Sequence, residues 1–183
     1  MKALNDAHEL EYEKMPEVVA KAPGRFHLAG EHSWFYKDKT ISMAMNLYVH
    51  IAVSKRDDGL AKIYFHQLND RKKITISTNK FRKEDKWANA VKSVIYGFTS
   101  GGFSIGGVDI TVYTDIMPSA GFGITTAMKA ATAIALRKLF ELNCSDVQLL
   151  QVLERGNRLF LKKNNFLSDN YAALFAKKGS LII

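Results

Sequence analysis

An α+β fold is what this sequence predicts, and three observations predict it. Strand-like runs fill the first part of the chain, helical periodicity dominates the later part, and strict β–α–β alternation is missing. Composition agrees with a packed domain. At 183 residues, with 47% hydrophobic and 24% charged side chains, the chain can bury a real core and shows no sign of global disorder.

Taken in order, residues 1–15 read as a mobile or short helical leader, too polar and too mixed in charge for a signal peptide. Val18–Ala22 is a strand. Ala22-Pro23-Gly24-Arg25 then predicts a sharp turn into Phe26–Ala29, holding Arg25 near Gly30-Glu31-His32. Thr40–Lys55 is apolar and β-rich towards its end, and Asp57-Asp58-Gly59 closes it with a hairpin signal. Ala61–His66 and Lys73–Thr78 are short strands around the polar turn Asn69-Asp70-Arg71. Lys86–Phe98 is helical, with Trp87, Val91, Val94 and Ile95 on one side, and the pairs Gly101-Gly102 and Gly106-Gly107 punctuate the segment after it.

Ile116–Ala135 is the stretch around which the chain is organised. Upstream, Gly107–Ile116 alternates Val108, Ile110 and Val112 with polar neighbours, the pattern of a half-buried strand. Downstream, Ile124, Met128, Ala131, Ala135, Leu136 and Leu139 recur at helical spacing. Gly121 and Gly123 between them permit unusual dihedrals and close approach, and Thr125 and Thr126 set two hydroxyls on the first helical turn. Free N–H groups and the helix dipole make such a turn a seat for phosphate, although many turns of this kind bind nothing. No lysine follows in the GxxxxGK[ST] pattern, which excludes an ordinary P-loop. Ser145-Asp146-Val147-Gln148 then has the form of a capping box opening a helix to about Leu161, with Gly156 its weak spot. Ser168 or Asp169 could cap a last short helix, Asn170–Lys178, ended by Gly179 before the apolar Ser180–Ile183.

The bulk numbers narrow the class further. The single cysteine, Cys144, allows no intramolecular disulfide and fits a reducing, cytoplasmic compartment. No apolar run reaches membrane-spanning length, so no membrane partner is expected. A formal charge of +8 favours polyanionic ligands, but the basic residues are scattered over several short runs, which argues against nucleic acid.

Four segments, in order, carry a resemblance. Ala22-Pro23-Gly24-Arg25 with Gly30-Glu31-His32 resembles the first signature of the galactokinase branch of the GHMP kinases (galactokinase, homoserine kinase, mevalonate kinase, phosphomevalonate kinase). Lys86–Lys92 resembles that branch's W-A-N-Y-V-K segment, and Pro118–Ala127 sits where it has the loop P-x-G-x-G-L-S-S-S-A. Ser168-Asp169-Asn170, ahead of Gly179–Ile182, stands where galactokinases have M-D-Q before K-G-x-x-L-L-I.

The resemblance implies a fold like the second domain of ribosomal protein S5 over residues 17–183, with residues 1–16 as leader. It also implies transfer of the ATP γ-phosphoryl group to a small, sugar-like alcohol. Asp169 matches the base that accepts the hydroxyl proton, and Arg25 the cation that keeps it ionised. Trp87 matches an adenine-stacking position. Gly121, Gly123, Thr125 and Thr126 match the phosphate loop, Thr125 also serving Mg²⁺. Glu31 and His32 match sugar-contacting positions. Each residue also has a plainer reading when taken singly: Trp87 as core, Arg25 with Glu31 as an ion pair, His32 as a structural hydrogen-bonder, Asp169 as a helix cap.

Departures gather at the sites. Phe122 and Ile124 intrude where the loop has glycine and serine in one register, and the alternative register moves the hydroxyls. Trp34 replaces a sugar-gripping aspartate, Phe166 a sugar-side glycine and Ala90 an adenine-side tyrosine. Losing a carboxylate partner for sugar hydroxyls argues against galactose itself. The same changes motivate a second reading, a catalytically impaired pseudokinase that binds nucleotide or sugar as a sensor. Family members continue into a second domain that closes the cleft. The expected complement is therefore a missing C-terminal domain, a second chain or a homo-oligomer.

Overall fold

The computed structural model describes residues 2–30, 39–163 and 167–183. Helix α1 (Lys2–Tyr12) precedes β1 (Val18–Ala29), β2 (Ile41–Arg56), β3 (Leu60–Phe65) and β4 (Asp70–Thr75). After these come α2 (Ala88–Ser100), β5 (Gly107–Thr114), α3 (Ile124–Leu139), α4 (Asp146–Arg155) and α5 (Leu167–Phe175). The strands form a five-stranded sheet in the order β1-β2-β5-β3-β4.

Period two divides the sheet into two faces. Val49, Ile51 and Val53 of β2, Val108, Ile110 and Val112 of β5, and Ala61, Ile63 and Phe65 of β3 are all buried on one face, against α2 and α3. The opposite face carries Ser54 and Thr111. There α1 docks, its fully buried His8 placing Nδ1 2.9 Å from Thr111 Oγ1 and Nε2 3.0 Å from Ser54 Oγ. The leader is thus helical and packed. Strand β5, expected to be half-buried, is buried on both faces along most of its length, because α1 covers the polar alternates.

Two local expectations are corrected. Pro23-Gly24 makes no turn: β1 runs from Val18 to Ala29 alongside β2, with a register irregularity between Pro23 and Arg25. Proline is tolerated because β1 is an edge strand. Asp57-Asp58-Gly59 closes no hairpin, because β5 enters between β2 and β3, antiparallel to the first and parallel to the second. At the start of β5 a Cβ on Gly107 would lie 1.8 Å from the Asp58 carbonyl oxygen, so only glycine fits under that bend.

The β3–β4 hairpin turns on Asn69 (φ 46°), and β4 spans 70–75, with residues 76–78 forming a 3₁₀ turn rather than strand. Helix α4 opens with the capping box, both reciprocal hydrogen bonds formed, and passes at Gly156 into a π turn over Gly156–Phe160. The last helix begins at Leu167, three residues earlier than its periodicity suggested. Ser42 of β2 and Ile182 exchange backbone hydrogen bonds of 2.9 and 2.8 Å, so the final apolar residues lie along the distal part of β2.

Candidate active site

The loop between β5 and α3 meets β1 because neither carries bulk at the crossing. A Cβ on Gly24 would lie 2.6 Å from the Phe122 carbonyl oxygen, and the Arg25 amide donates to that oxygen at 2.9 Å. The next crossing is close but less tight. A Cβ on Gly123 would sit 3.2 Å from the Arg25 side chain, and Gly123 has φ +72° besides. With Gly121 at φ +77°, both loop glycines adopt the left-handed conformation that suits glycine. The first intrahelical bond of α3 runs from Ala127 N–H to Gly123 O, which leaves the amides of Ile124, Thr125 and Thr126 at the positive end of the dipole.

This crossing presents Arg25 to α5. Arg25 Nε donates to Asp169 Oδ1 at 2.7 Å and Nη2 to Asp169 Oδ2 at 3.1 Å, the bidentate geometry of a guanidinium on a carboxylate. Its Nη1 donates to the Gly121 carbonyl at 2.7 Å, tying the loop to the pair. Sequence reasoning missed a third member, His27. Its Nε2 lies 2.8 Å from Asp169 Oδ1 and its Nδ1 2.7 Å from Ser42 Oγ. The signal was available, because His27 stands two residues after Arg25 on one strand and therefore on the same face. Asp169 itself is only 8% exposed, so three N–H donors serve a nearly dry carboxylate.

Two cavities adjoin this centre and share Ile124 and Thr125. The smaller, about 260 Å³, is lined by Arg25 and by the loop from Ser119 to Thr126. The larger, about 500 Å³, is walled by Phe65, Phe81, Trp87 and Met128, with Lys83, Lys86 and Lys163 also lining it. Trp87 is half-buried, edge-on to Phe65 at 5.1 Å, and its Nε1 donates to Asp70 Oδ2 at 2.8 Å. Core packing and cavity wall are therefore both true of it. Thr125 is exposed where the cavities meet, whereas Thr126 is buried. Phe122 lines the smaller cavity but turns its ring edge-on to Phe26 at 6.2 Å, so it obstructs less than its bulk suggested. Glu31, His32, Trp34 and Phe166 lie outside the described residues.

One further buried group belongs to the neighbourhood. Lys129 stands one turn of α3 beyond Thr125, is 1% exposed, and donates from Nζ to Asn157 Oδ1 at 2.6 Å. Burial draws its ammonium down to about 8, against the opposing pull of Asp169 and Glu154.

Comparison with known proteins decides the ancestry. Residues 6–55 match the family model for the galactokinase galactose-binding signature, and residues 88–177 that for the GHMP kinases N terminal domain. The chain belongs to the GHMP kinase superfamily. A putative galactokinase of Treponema pallidum is 37% identical to this GHMP domain over 182 residues, covering 100% of the chain and 46% of the relative. A galactokinase of Thermotoga maritima is 28% identical over 165 residues, covering 90% and 45%. The chain thus spans about half the length of the curated relatives it matches.

Among solved structures, galactokinase of Lactococcus lactis complexed with galactose superposes with TM-score 0.84 at 20% identity, over 96% of the chain and 46% of that protein. Mevalonate kinase of Methanococcus jannaschii gives 0.72 at 16%, over 87% and 51%. The fold is that of the GHMP kinase N-terminal domain, like the second domain of ribosomal protein S5. None of the helices, among the described residues, is long and apolar enough to cross a membrane.

Proposed function

We propose that this chain is the nucleotide-binding part of a sugar kinase, which transfers the ATP γ-phosphoryl group to a hydroxyl of a small, sugar-like alcohol. The observation that carries the reading is the bidentate Arg25–Asp169 pair, hydrogen-bonded to the glycine loop beside the two joined cavities. Phosphoryl transfer asks mainly for positioning and charge compensation. The apolar cavity with Trp87 suits a purine, and the lysines lining it suit a polyphosphate. The loop amides and the dipole of α3 suit the phosphates beyond the purine. Asp169 accepts the acceptor's proton as the phosphoryl group moves, and Arg25 keeps it aligned.

The exposed Thr125 hydroxyl is a hard oxygen donor that fits Mg²⁺ carried by the nucleotide. The metal, when bound, neutralises charge on the transferred group. Residues 17–183 form the N-terminal domain in this reading, with the leader helix docked on it. A further domain, a second chain or a second copy completes the cleft. The departures at Trp34 and Phe166 favour an acceptor other than galactose. The intact Arg25–Asp169–His27 constellation favours a working transferase over an impaired sensor.

Turnover of Mg·ATP against a panel of sugars and other alcohols tests this. Asp169→Asn is expected to lower kcat by roughly 10²–10⁴-fold, the range of a lost general base. Turnover that survives the change intact refutes the assignment.

A further inference from the structure

The segment between β4 and α2 separates two cavities that have no lining residue in common. Phe81, Lys83, Lys86 and Trp87 line the larger one, beside the glycine loop. Lys80, Arg82 and Asp85 alternate with them and line another cavity of about 160 Å³, which also borders Lys73 and Thr75 of β4. The proposed transfer makes no use of this second cavity.

A buried lysine forms part of its wall. Lys92 of α2 is 1% exposed, and its Nζ donates to the Lys80 carbonyl at 2.7 Å and to Asp85 Oδ2. Asp85 is the one acidic residue of the lining, and Lys92 already engages it. Against it stand Lys73, Lys80 and Arg82, three exposed basic side chains with no hydrogen bond or ion pair among the described residues. Nearby basic residues behave differently, since Arg71 pairs with Glu11 and Lys72 with Asp70. Four basic side chains thus surround one carboxylate in a small concavity. Like charges gathered in this way repel, and a bound anion relieves that repulsion.

Neutral donors stand at the same place. Strand β4 is the edge of the sheet, and the Ile76 amide donates to Gly59 O at 2.9 Å, so the even-numbered amides point towards β3. The amides of Lys73 and Thr75 therefore turn off the edge. The hydroxyls of Thr75 and Thr78, both in the lining, make no hydrogen bond among the described residues.

We propose that this cavity is a second anion site, which takes a phosphate group, either free or as the monoester of a small molecule. Its volume, about a third of the larger cavity's 500 Å³, suits a phosphate group rather than a whole nucleotide. The Arg82 guanidinium supplies a planar fork of donors and the lysines supply point charges. Binding here is read without turnover, so it stands apart from the transfer reaction.

The test titrates inorganic phosphate, and separately glycerol 2-phosphate, into the ¹⁵N-labelled full chain at constant ionic strength. About 0.15 M NaCl screens exposed charges more than about 8 Å apart. Saturating amide shifts are expected at Thr75, Thr78, Lys80 and Arg82. The double variant Lys80→Ser with Arg82→Ser should weaken this binding at least about tenfold, through the loss of charge-assisted hydrogen bonds. Any shifts at Gly121–Thr126, the other anion-binding turn, should be the same in the variant. Both substituted side chains are exposed, so the rest of the spectrum should report an intact fold. Glycerol 2-phosphate binding at least as tightly as phosphate assigns the site to monoesters, and weaker binding assigns it to free phosphate. Shifts that are absent, that rise linearly, or that survive the double variant mean an adventitious ion only and overturn the proposal.

Discussion

Three N–H donors converge on Asp169, and that number shapes what the carboxylate can do. The donors reach both of its oxygens and fix the plane of the carboxylate, so its orientation is set by Arg25 and His27. In the proposed transfer that fixed orientation matters as much as the proton it would accept. Lys129 carries the clearest stability consequence at this scale. Its folded-state value lies near 8, below the usual 10.5, so between these values the unfolded chain binds more protons. Stability is expected to rise with pH through that window. Lys129→Met should abolish the rise and stabilise the fold at pH 7 by on the order of 1–3 kcal/mol, measured by urea unfolding at pH 7 and at pH 10. Arg25 and Asp169 were legible as a pair because their surrounding motifs survive in order. His27 and Lys129 were not, although strand parity and the core-facing position of a lysine on α3 both pointed to them.

Elements are held together here by close approaches that composition alone does not reveal. A Cβ on Gly97 would lie 2.3 Å from the Val152 carbonyl oxygen, and one on Gly156 2.3 Å from that of Ser93, so α2 and α4 touch backbone to backbone. The sequence marks Gly156 as a weak point of a helix. In the structure it is the first residue of the π turn and lies against the backbone of α2. Gly156→Ala is expected to destabilise by about 1–3 kcal/mol in thermal unfolding, since backbone cannot yield as a flexible side chain can.

The leader helix makes a second prediction. His8 is pushed down to about 4, chiefly by burial and then by Lys14. Because its folded value is depressed, the stability it contributes is full above about 6.5 and is lost as pH falls through 4. His8→Ala should flatten that acid limb. It should also cost about 1–3 kcal/mol at pH 7 by leaving the Thr111 and Ser54 hydroxyls unpaired, an effect calorimetry across pH 4–7 would resolve.

At the scale of the whole molecule, strand and helix identities were largely legible and the connectivity was not. Alternation and helical periodicity are local properties, and they located nearly every element to within a few residues. Strand order depends on pairing between distant segments, which turn chemistry cannot report. Asp57-Asp58-Gly59 has every feature of a hairpin turn, yet its flanking strands are separated by one that arrives some fifty residues later. Pro23-Gly24 misled in the same way, because an edge strand tolerates a proline that would end a central one. Family resemblance succeeded where local rules stopped, since it carries the long-range arrangement with it.

The slot between β2 and β3 also constrains how the polypeptide reaches its native state. Until Gly107–Thr114 has been synthesised, the β1–β2 ribbon and the β3–β4 ribbon have no strand to join them. Its pairing with both is non-local, the kind of contact that slows folding. A ribosome-bound nascent chain halted before residue 107 should therefore stay open to protease, and acquire resistance only once the fifth strand has emerged.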